Sequence, residues 1–415
     1  MKTFRLAVGM AVVGLGFLMA SPARGQSIRP PPPPTVIEAP IKPPSPRQSP
    51  PRFRILQDFA SNPDQQGIAG QLDAMGREPN ADLLGVLDEL TRIPPDQVGP
   101  ALDQISPASY DADTDAALSA GHRHIEMVSG FLEDSAASSG ENDSRWSPWV
   151  GGIKGTDEGR NNSSARTLGS AGGMDYRFGK NIRFGFQFGY SHSDVTYSDS
   201  SSKGKIDLVN YGSYALWAPS HGYIEAIVNM TDQSFDDQRQ ISFGEVNRLA
   251  LAKYDGRGRS AYLGTGYDFT LAGCRLRPTA AMEYGRFQRD GFTEDGAGSL
   301  NLAVDGSTED SVQSHVGVRM DYELKFLLVT VTPRATVSWG HQFETAPREL
   351  EARFEQSGTE PFTVHGEAGN ADGLETSAGL AAKIFGVSAF MDYGVTFAGG
   401  AEAARTLKAG LWTMF

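Results

Sequence analysis

The sequence predicts an all-β fold: a twelve-stranded antiparallel transmembrane β-barrel with a preceding lumenal α-helix and a short helical N-terminal region. Three observations carry this prediction. From Trp146 onward apolar residues recur at every second position, the period of a strand with one apolar face. The connections alternate between tight turns and long polar loops, the asymmetry of outer-membrane barrels. Beyond the N-terminal run Leu6–Ala20 no stretch is long and apolar enough for a membrane helix, which needs about 20 residues, so strands must make any crossing.

In chain order, residues 1–25 read as a secretory signal: Lys2 and Arg5 supply the charge, Leu6–Ala20 the apolar core, and Ala23-Arg24-Gly25 a small-residue cleavage site after Gly25. Residues 26–52 are a proline-rich linker, with Pro30–Pro34 in one block and Arg29, Lys42, Arg47 and Arg52 making it mildly basic; such a tract is an extended, semi-rigid spacer. Residues 53–106 read as short helices. Leu83, Leu84, Leu87 and Leu90 keep the helical period until Pro94-Pro95, and Val98, Leu102 and Ile105 mark another amphipathic piece. Ser106-Pro107 then opens a longer helix in the segment 107–145, with an N-cap followed by proline at the first helical position. Over 108–134 only Gly121 and Gly130 weaken that helix, while Leu118, Ile125, Val128 and Leu132 run along one side. At 1.5 Å per residue it spans about 39 Å, enough to thread a bilayer-thick barrel.

From 146 to 415 the alternation is explicit. Ile182, Phe184, Phe186, Phe188 and Tyr190 alternate with Arg183, Gly185, Gln187 and Gly189; Val316, Val318, Met320 and Tyr322 oppose His315, Gly317, Arg319 and Asp321. Twelve strands are expected near 147–156, 164–178, 181–197, 204–218, 222–234, 254–271, 274–289, 308–324, 326–343, 373–385, 387–397 and 404–415. Tight turns fall at Gly179-Lys180, Pro219–His221, Ala272-Gly273, Leu324-Lys325 and Gly386; the segments 157–163, 198–203, 235–253, 290–307, 344–372 and 398–403 read as the longer loops. Short turns belong on the periplasmic side, and an even strand count puts both barrel ends there. A soluble sandwich would bury its apolar face against a second sheet, whereas the opposite face here is rich in Gly and in charges of both signs, which suits a closed barrel with a wet interior. Strand parity assigns Arg183, Gln187, Glu225, Asn229, Asp268, Arg277, Glu283, His315, Arg319, Asp321, Arg334, Lys383, Asp392 and Lys408 to the lumen.

Composition narrows the function. The 415 residues exceed one compact core, and a net charge of −13 argues against nucleic acid as a partner. A mean hydropathy of −0.33 hides a barrel, because lipid-facing and lumen-facing residues average out. Cys274 is the single cysteine, so it has neither an intramolecular disulfide partner nor a cysteine partner for a metal. The seven histidines are scattered, and His122 and His124 point different ways on a helix, so no metal and no cofactor is expected. The chain lacks a Gly-x-Ser-x-Gly elbow, a P-loop and a His-Glu-x-x-His pair. Glu225, Glu283, His315 and Asp321 could form an acid–base set, but a lumen wall that pairs them with Arg183, Arg275, Arg277, Arg319, Arg334, Lys383 and Lys408 accounts for them, and no enzyme is expected.

The barrel resembles the C-terminal β-barrel translocator domain of autotransporters, the monomeric type V secretion proteins. The likeness runs from about residue 97 onward. Ala101-Leu102-Asp103-Gln104-Ile105-Ser106 looks like the helical stretch before such barrels, Ser147-Pro148-Trp149-Val150-Gly151-Gly152 like the family's first strand, and Phe362-Thr363-Val364-His365-Gly366 like a segment in the long loop before strand ten. The terminal Phe415, with Leu407 and Leu411, matches the family's assembly signal, although Thr413 stands where relatives carry a bulky residue and Trp412 has the opposite parity. The resemblance implies a monomer in the outer membrane of a Gram-negative bacterium, exported by the Sec translocon and inserted by the barrel-assembly machinery, among lipid and lipopolysaccharide. It implies that the barrel translocates or displays its own N-terminal segment, here a short one over 26–106. The alternative is a stand-alone channel whose proline-rich segment is a periplasmic tether. Many relatives sever the passenger through an Asn of the lumenal helix; residues 107–134 contain none, and Asn142 and Asn161-Asn162 lie outside it.

Overall fold

The computed structural model describes residues 53–137, 145–159, 163–197, 201–355 and 360–413, all within one compact unit. The expected signal peptide, the proline-rich linker, Asn142, Asn161-Asn162 and Phe415 lie outside the described residues.

Among the described residues four α-helices precede the strands: α1 (Pro63–Met75), α2 (Ala81–Arg92), α3 (Pro95–Ile105) and α4 (Ser109–Ala137). The starts of α1 and α2 follow capping chemistry. Asn62 Oδ1 accepts from the Gln65 amide at 2.8 Å with Pro63 at the first helical position, and Asn80 Oδ1 accepts from the Leu83 amide at 2.8 Å. α4 holds residues 109–134 of the segment expected to be helical, but it begins at Ser109, not at Pro107; Ser106 stands at the C-cap of α3 and a turn separates the two helices.

Among the described residues twelve long strands follow: β1 (Trp146–Glu158), β2 (Ser163–Phe178), β3 (Ile182–Tyr197), β4 (Lys203–Trp217), β5 (Gly222–Phe243), β6 (Val246–Tyr267), β7 (Cys274–Arg289), β8 (Ser307–Tyr322), β9 (Val329–Gln342), β10 (Asp372–Ile384), β11 (Val387–Ala398) and β12 (Ala401–Thr413). Each pairs antiparallel with its neighbours in sequence, and β12 closes on β1 with Trp149 opposite Trp412 and Ile153 opposite Lys408. No described helix is long and apolar enough to cross a membrane; the closed sheet satisfies its own backbone groups and leaves no edge.

The outer face carries a belt of exposed apolar residues. Leu168 and Phe186 are each 66% exposed at mid-strand, and Val318 lies on the same outer surface. Near the short turns the exposed apolar residues include Trp146, Phe178, Trp217, Tyr267, Phe269, Tyr322, Phe326 and Phe385, an aromatic girdle. Toward the loops, Tyr190, Tyr211 and Tyr284 each donate from the ring hydroxyl to a carboxylate on the next strand, Asp207, Asp232 (3.3 Å) and Asp310 (2.8 Å). Above that line the outward residues of β5 and β6 turn polar apart from Leu249 and Leu251, with Lys253 3.0 Å from Asp236. Ring below and charge above is how an amphipathic girdle sits at an interface.

Two expectations are corrected beyond that line. Residues 235–253, expected as a loop, continue β5 and β6 as a hairpin closed by Gly244-Glu245, with φ +54° at Gly244; two-residue hairpin turns favour glycine at that position. The alternation is present, since Phe235, Ile241 and Phe243 point inward against outward Asp236, Gln238 and Gln240, but Asp237 and Arg239 share the inner face and mask it. The segments 290–307 and 344–372 also carry order: Phe292–Thr293, Leu302–Val304, Glu349–Phe354 and Phe362–His365 form a separate small antiparallel sheet. α1–α3 pack on this sheet and on the hairpin, so one core unites Ile68, Leu72, Val86, Leu90 and Leu102 with Ile241, Phe243, Leu300, Leu302, Phe354 and Phe362. The strand expected near 326–343 begins instead at Val329, after the exposed turn residues Phe326, Leu327 and Leu328.

Candidate functional site: the helix-filled lumen

α4 runs through the barrel from the loop end to the turn end. At its start the Tyr197 hydroxyl donates to the Ser109 carbonyl at 2.8 Å, and Arg348 bridges Asp111, at 2.6 Å, and Asp115. The Tyr110 hydroxyl donates to Glu294 at 2.6 Å, and Glu294 is held in turn by Arg239. At its end Asp134 lies between Arg319 and Arg334, Glu133 accepts from Arg319 at 2.9 Å and from the Tyr223 hydroxyl at 2.6 Å, and Arg277 donates to the Glu133 carbonyl at 3.2 Å. Guanidinium groups at a helix C-terminus meet both the orphan carbonyls and the negative end of the dipole.

Between the ends, the helix leans on the wall of β1–β5. Ile125, Met127, Val128, Phe131 and Leu132 form a buried cluster with Trp149, Ile153, Tyr214, Ile227 and Trp412. Phe131 stacks on Trp149 with ring centroids 5.1 Å apart, and the Trp149 indole donates to the Tyr214 hydroxyl at 2.8 Å. The parity of Trp412 is thereby explained: it faces inward, against Phe131 and Phe390. Arg123 forms a two-pronged pair with Asp157, which also accepts from Ser119 at 3.1 Å. The wall makes room with glycine. A Cβ at Gly155 would stand 2.6 Å from the Arg123 guanidinium, and one at Gly189 would stand 2.5 Å from the His124 ring. The Gly-rich inner face follows the path of the helix.

The residues expected in the lumen take the following places. Arg183 pairs with Asp175 at 3.2 Å, and Gln187 contacts His124 and donates to Asn229 at 3.1 Å. Glu225 accepts from Ser129 at 2.6 Å, and Asp268 accepts from Arg277 at 2.7 Å. Glu283 meets His122 at 2.8 Å, Asp321 holds Arg319 at 3.0 Å, and Lys408 lies 3.7 Å from Glu126. Asp392 accepts from Arg334 at 2.6 Å, and Lys383 lines a cavity of roughly 430 Å³ at the turn end. His315 stacks beside His122, with ring centroids 5.5 Å apart. Leu407 and Leu411 face outward on β12. Glu225, Glu283, His315 and Asp321 do not converge as one group: Glu225 pairs with the helix and Asp321 with Arg319, whereas Glu283 and His315 both meet His122. The helix-side partners Ser129, Glu133 and Asp134 carry no strand parity and were absent from the expected set. The signal that points to them is a run of polar residues on a helix of barrel length.

The family model "Autotransporter beta-domain" matches residues 148–394. An extracellular serine protease of Serratia marcescens is 25% identical over 220 residues, which are 52% of this chain and 21% of the relative, so the chain spans about a fifth of that relative's length. The fold is similar to the translocator domain of the autotransporter NalP from Neisseria meningitidis, at 15% identity and a TM-score of 0.57, covering 74% of this chain and 100% of that one. It is also similar to the β-domain of the Bordetella autotransporter BrkA, at 18% identity and a TM-score of 0.50, covering 65% of this chain and 100% of that one.

Proposed function

The chain belongs to the autotransporter β-domain family, and from that premise we propose that its outer-membrane barrel carries its own N-terminal segment outward and retains it there as a folded helical cap, with α4 left behind as the plug. One observation supports this reading above the others. α4 begins at the loop end of the barrel, and α1–α3 pack on the loop-end sheet and the β5–β6 hairpin, on the side opposite the short turns. Short turns are periplasmic in such barrels, so the cap belongs outside. A periplasmic tether would have its helices at the turn end. The apolar belt with its aromatic girdle supports outer-membrane lipid as the surroundings, and export and insertion by the general machineries follow from the same reading.

The test is cysteine accessibility on intact cells in a Cys274→Ser background. Gln97→Cys, exposed on α3, should react with a membrane-impermeant maleimide, and Ser220→Cys, exposed in a short turn, should react only after lysis. The reverse pattern would support the tethered channel instead.

A further inference from the structure

α4 touches the β1–β5 wall closely, but on its other side a cavity of roughly 180 Å³ separates it from β7–β10. Three side chains from three elements meet at that cavity: His122 on α4, His315 on β8 and Glu375 on β10. One ligand atom from each lies within 4.8 Å of the others. The two imidazole planes are nearly parallel, 13° apart. His122 Nδ1 is taken by Glu283 at 2.8 Å, which leaves Nε2, 3.9 Å from Glu126 Oε1 on the same helix. His315 Nδ1 is 3.6 Å from Glu375 Oε1, and its Nε2 is buried with no hydrogen-bond partner among the described residues. The other oxygen of Glu375 accepts from the Ser338 hydroxyl at 2.9 Å.

We propose that His122, His315 and Glu375 form a binding site for a divalent transition-metal ion of the zinc class, which staples the plug helix to the barrel wall. Two imidazoles and one carboxylate make a zinc donor set with room for water as a fourth ligand, and imidazole nitrogen selects zinc, nickel or copper over calcium and magnesium. Ligand bonds of about 2.0–2.2 Å hold the donors of a tetrahedral site about 3.4 Å apart, so the three close by side-chain movements of about an ångström. The partners one step out are in place as well. A carboxylate on the second ring nitrogen fixes a ligating histidine, as Glu283 does for His122, and Ser338 orients Glu375. The ion would fasten α4 on the side where this cavity lies. The site stands on the folded lumen and does not depend on which face of the membrane displays the cap.

The untagged full chain, refolded in detergent and stripped with a chelator, is the material for the test. After equilibration with Zn²⁺ and desalting it should retain a single equivalent of metal, and Co²⁺ should give the visible absorption of a low-coordinate imidazole site. His315→Ala and Glu375→Gln should abolish both signals, Ser338→Ala should weaken binding about 10–100-fold, and His192→Ala, whose ring lies on the exposed face of β3, should leave both unchanged. Retention no greater in the parent than in a His122→Ala/His315→Ala double variant would overturn the proposal, as would cobalt absorption that survives in that variant. Zn²⁺ should also raise the thermal midpoint of the unmutated barrel. Should the ligand variants fail to refold, absence of any such rise in the parent overturns the site on its own.

Discussion

Asp134 is the side chain on which the lower end of the plug depends most. It is 6% exposed and sits between Arg319 and Arg334. Removing one member of such a network leaves buried charge unmatched, so Asp134→Ala should cost about 3–5 kcal/mol, read as a lower temperature for loss of the compact electrophoretic form; an unchanged temperature would show that water already serves these guanidiniums. Outside the membrane, Arg248 bonds Asp82 of α2 and holds its carboxyl down at about 2. A folded pKa below the ordinary 3.8 stabilises the docked helix above that value, and the contribution is lost as pH falls through about 2. The pair is half exposed and worth about 0–1 kcal/mol. The gap in thermal midpoint between the parent and Asp82→Asn should therefore hold from pH 7 to pH 4 and close toward pH 2; a gap that widens on acidification would reverse the assignment. Arg319, Arg334 and Asp392 could be assigned to the lumen from parity. Their partner Asp134 could not, because pairing between a helix and a distant strand leaves no periodic trace.

Each strand has two faces of different solvent, and substitution should tell them apart. Phe186→Lys and Val318→Lys place a charge in lipid at mid-strand, at a cost of about 2–4 kcal/mol. Ser377→Lys, at the lumenal cavity near Glu375 and Asp392, should cost much less. Equal loss of folded barrel for all three would mean that the parity is wrong. Gln187 is a poorer lumenal control, since it is buried between His124 and Asn229. α4 offers the other test at this scale. A barrel of eight strands is just filled by its own side chains, so twelve leave space that something must occupy. Deleting residues 108–134 should raise single-channel conductance in planar bilayers, and unchanged conductance would show that α4 is not the seal. The β5–β6 extension was the element least legible in the sequence. Inside a protein cap both faces of a hairpin follow local partners, so Asp237 and Arg239 interrupt the apolar parity that lipid enforces lower down.

At the scale of the molecule, helix, cap and barrel form one continuous body. The core that joins α1–α3 to the hairpin and the small sheet makes release of the cap costly without a cut in the chain. α4 supplies no asparagine for such a cut within residues 107–134. Tags placed N-terminal to α1 and in an outer loop should therefore migrate together on a denaturing gel, at the length of the joined chain. A separate fragment beginning near Asp143 would refute this.

The fold class, the strand count and the presence of a barrel-length helix were determined by the sequence alone. All of them rest on local rules: a period of two where one face meets lipid, a period near 3.6 where a helix has one apolar side, and Gly or Pro at turns. Tertiary structure decided which wall α4 leans on, that Gly155 and Gly189 make room for it, that Asp134 answers Arg319 and Arg334, that the outer segments build a second sheet, and that His122, His315 and Glu375 meet. These are contacts between parts of the chain brought together only when the barrel closes around the helix. Their geometry is set by the shape of the space that closure leaves, which no residue spacing encodes.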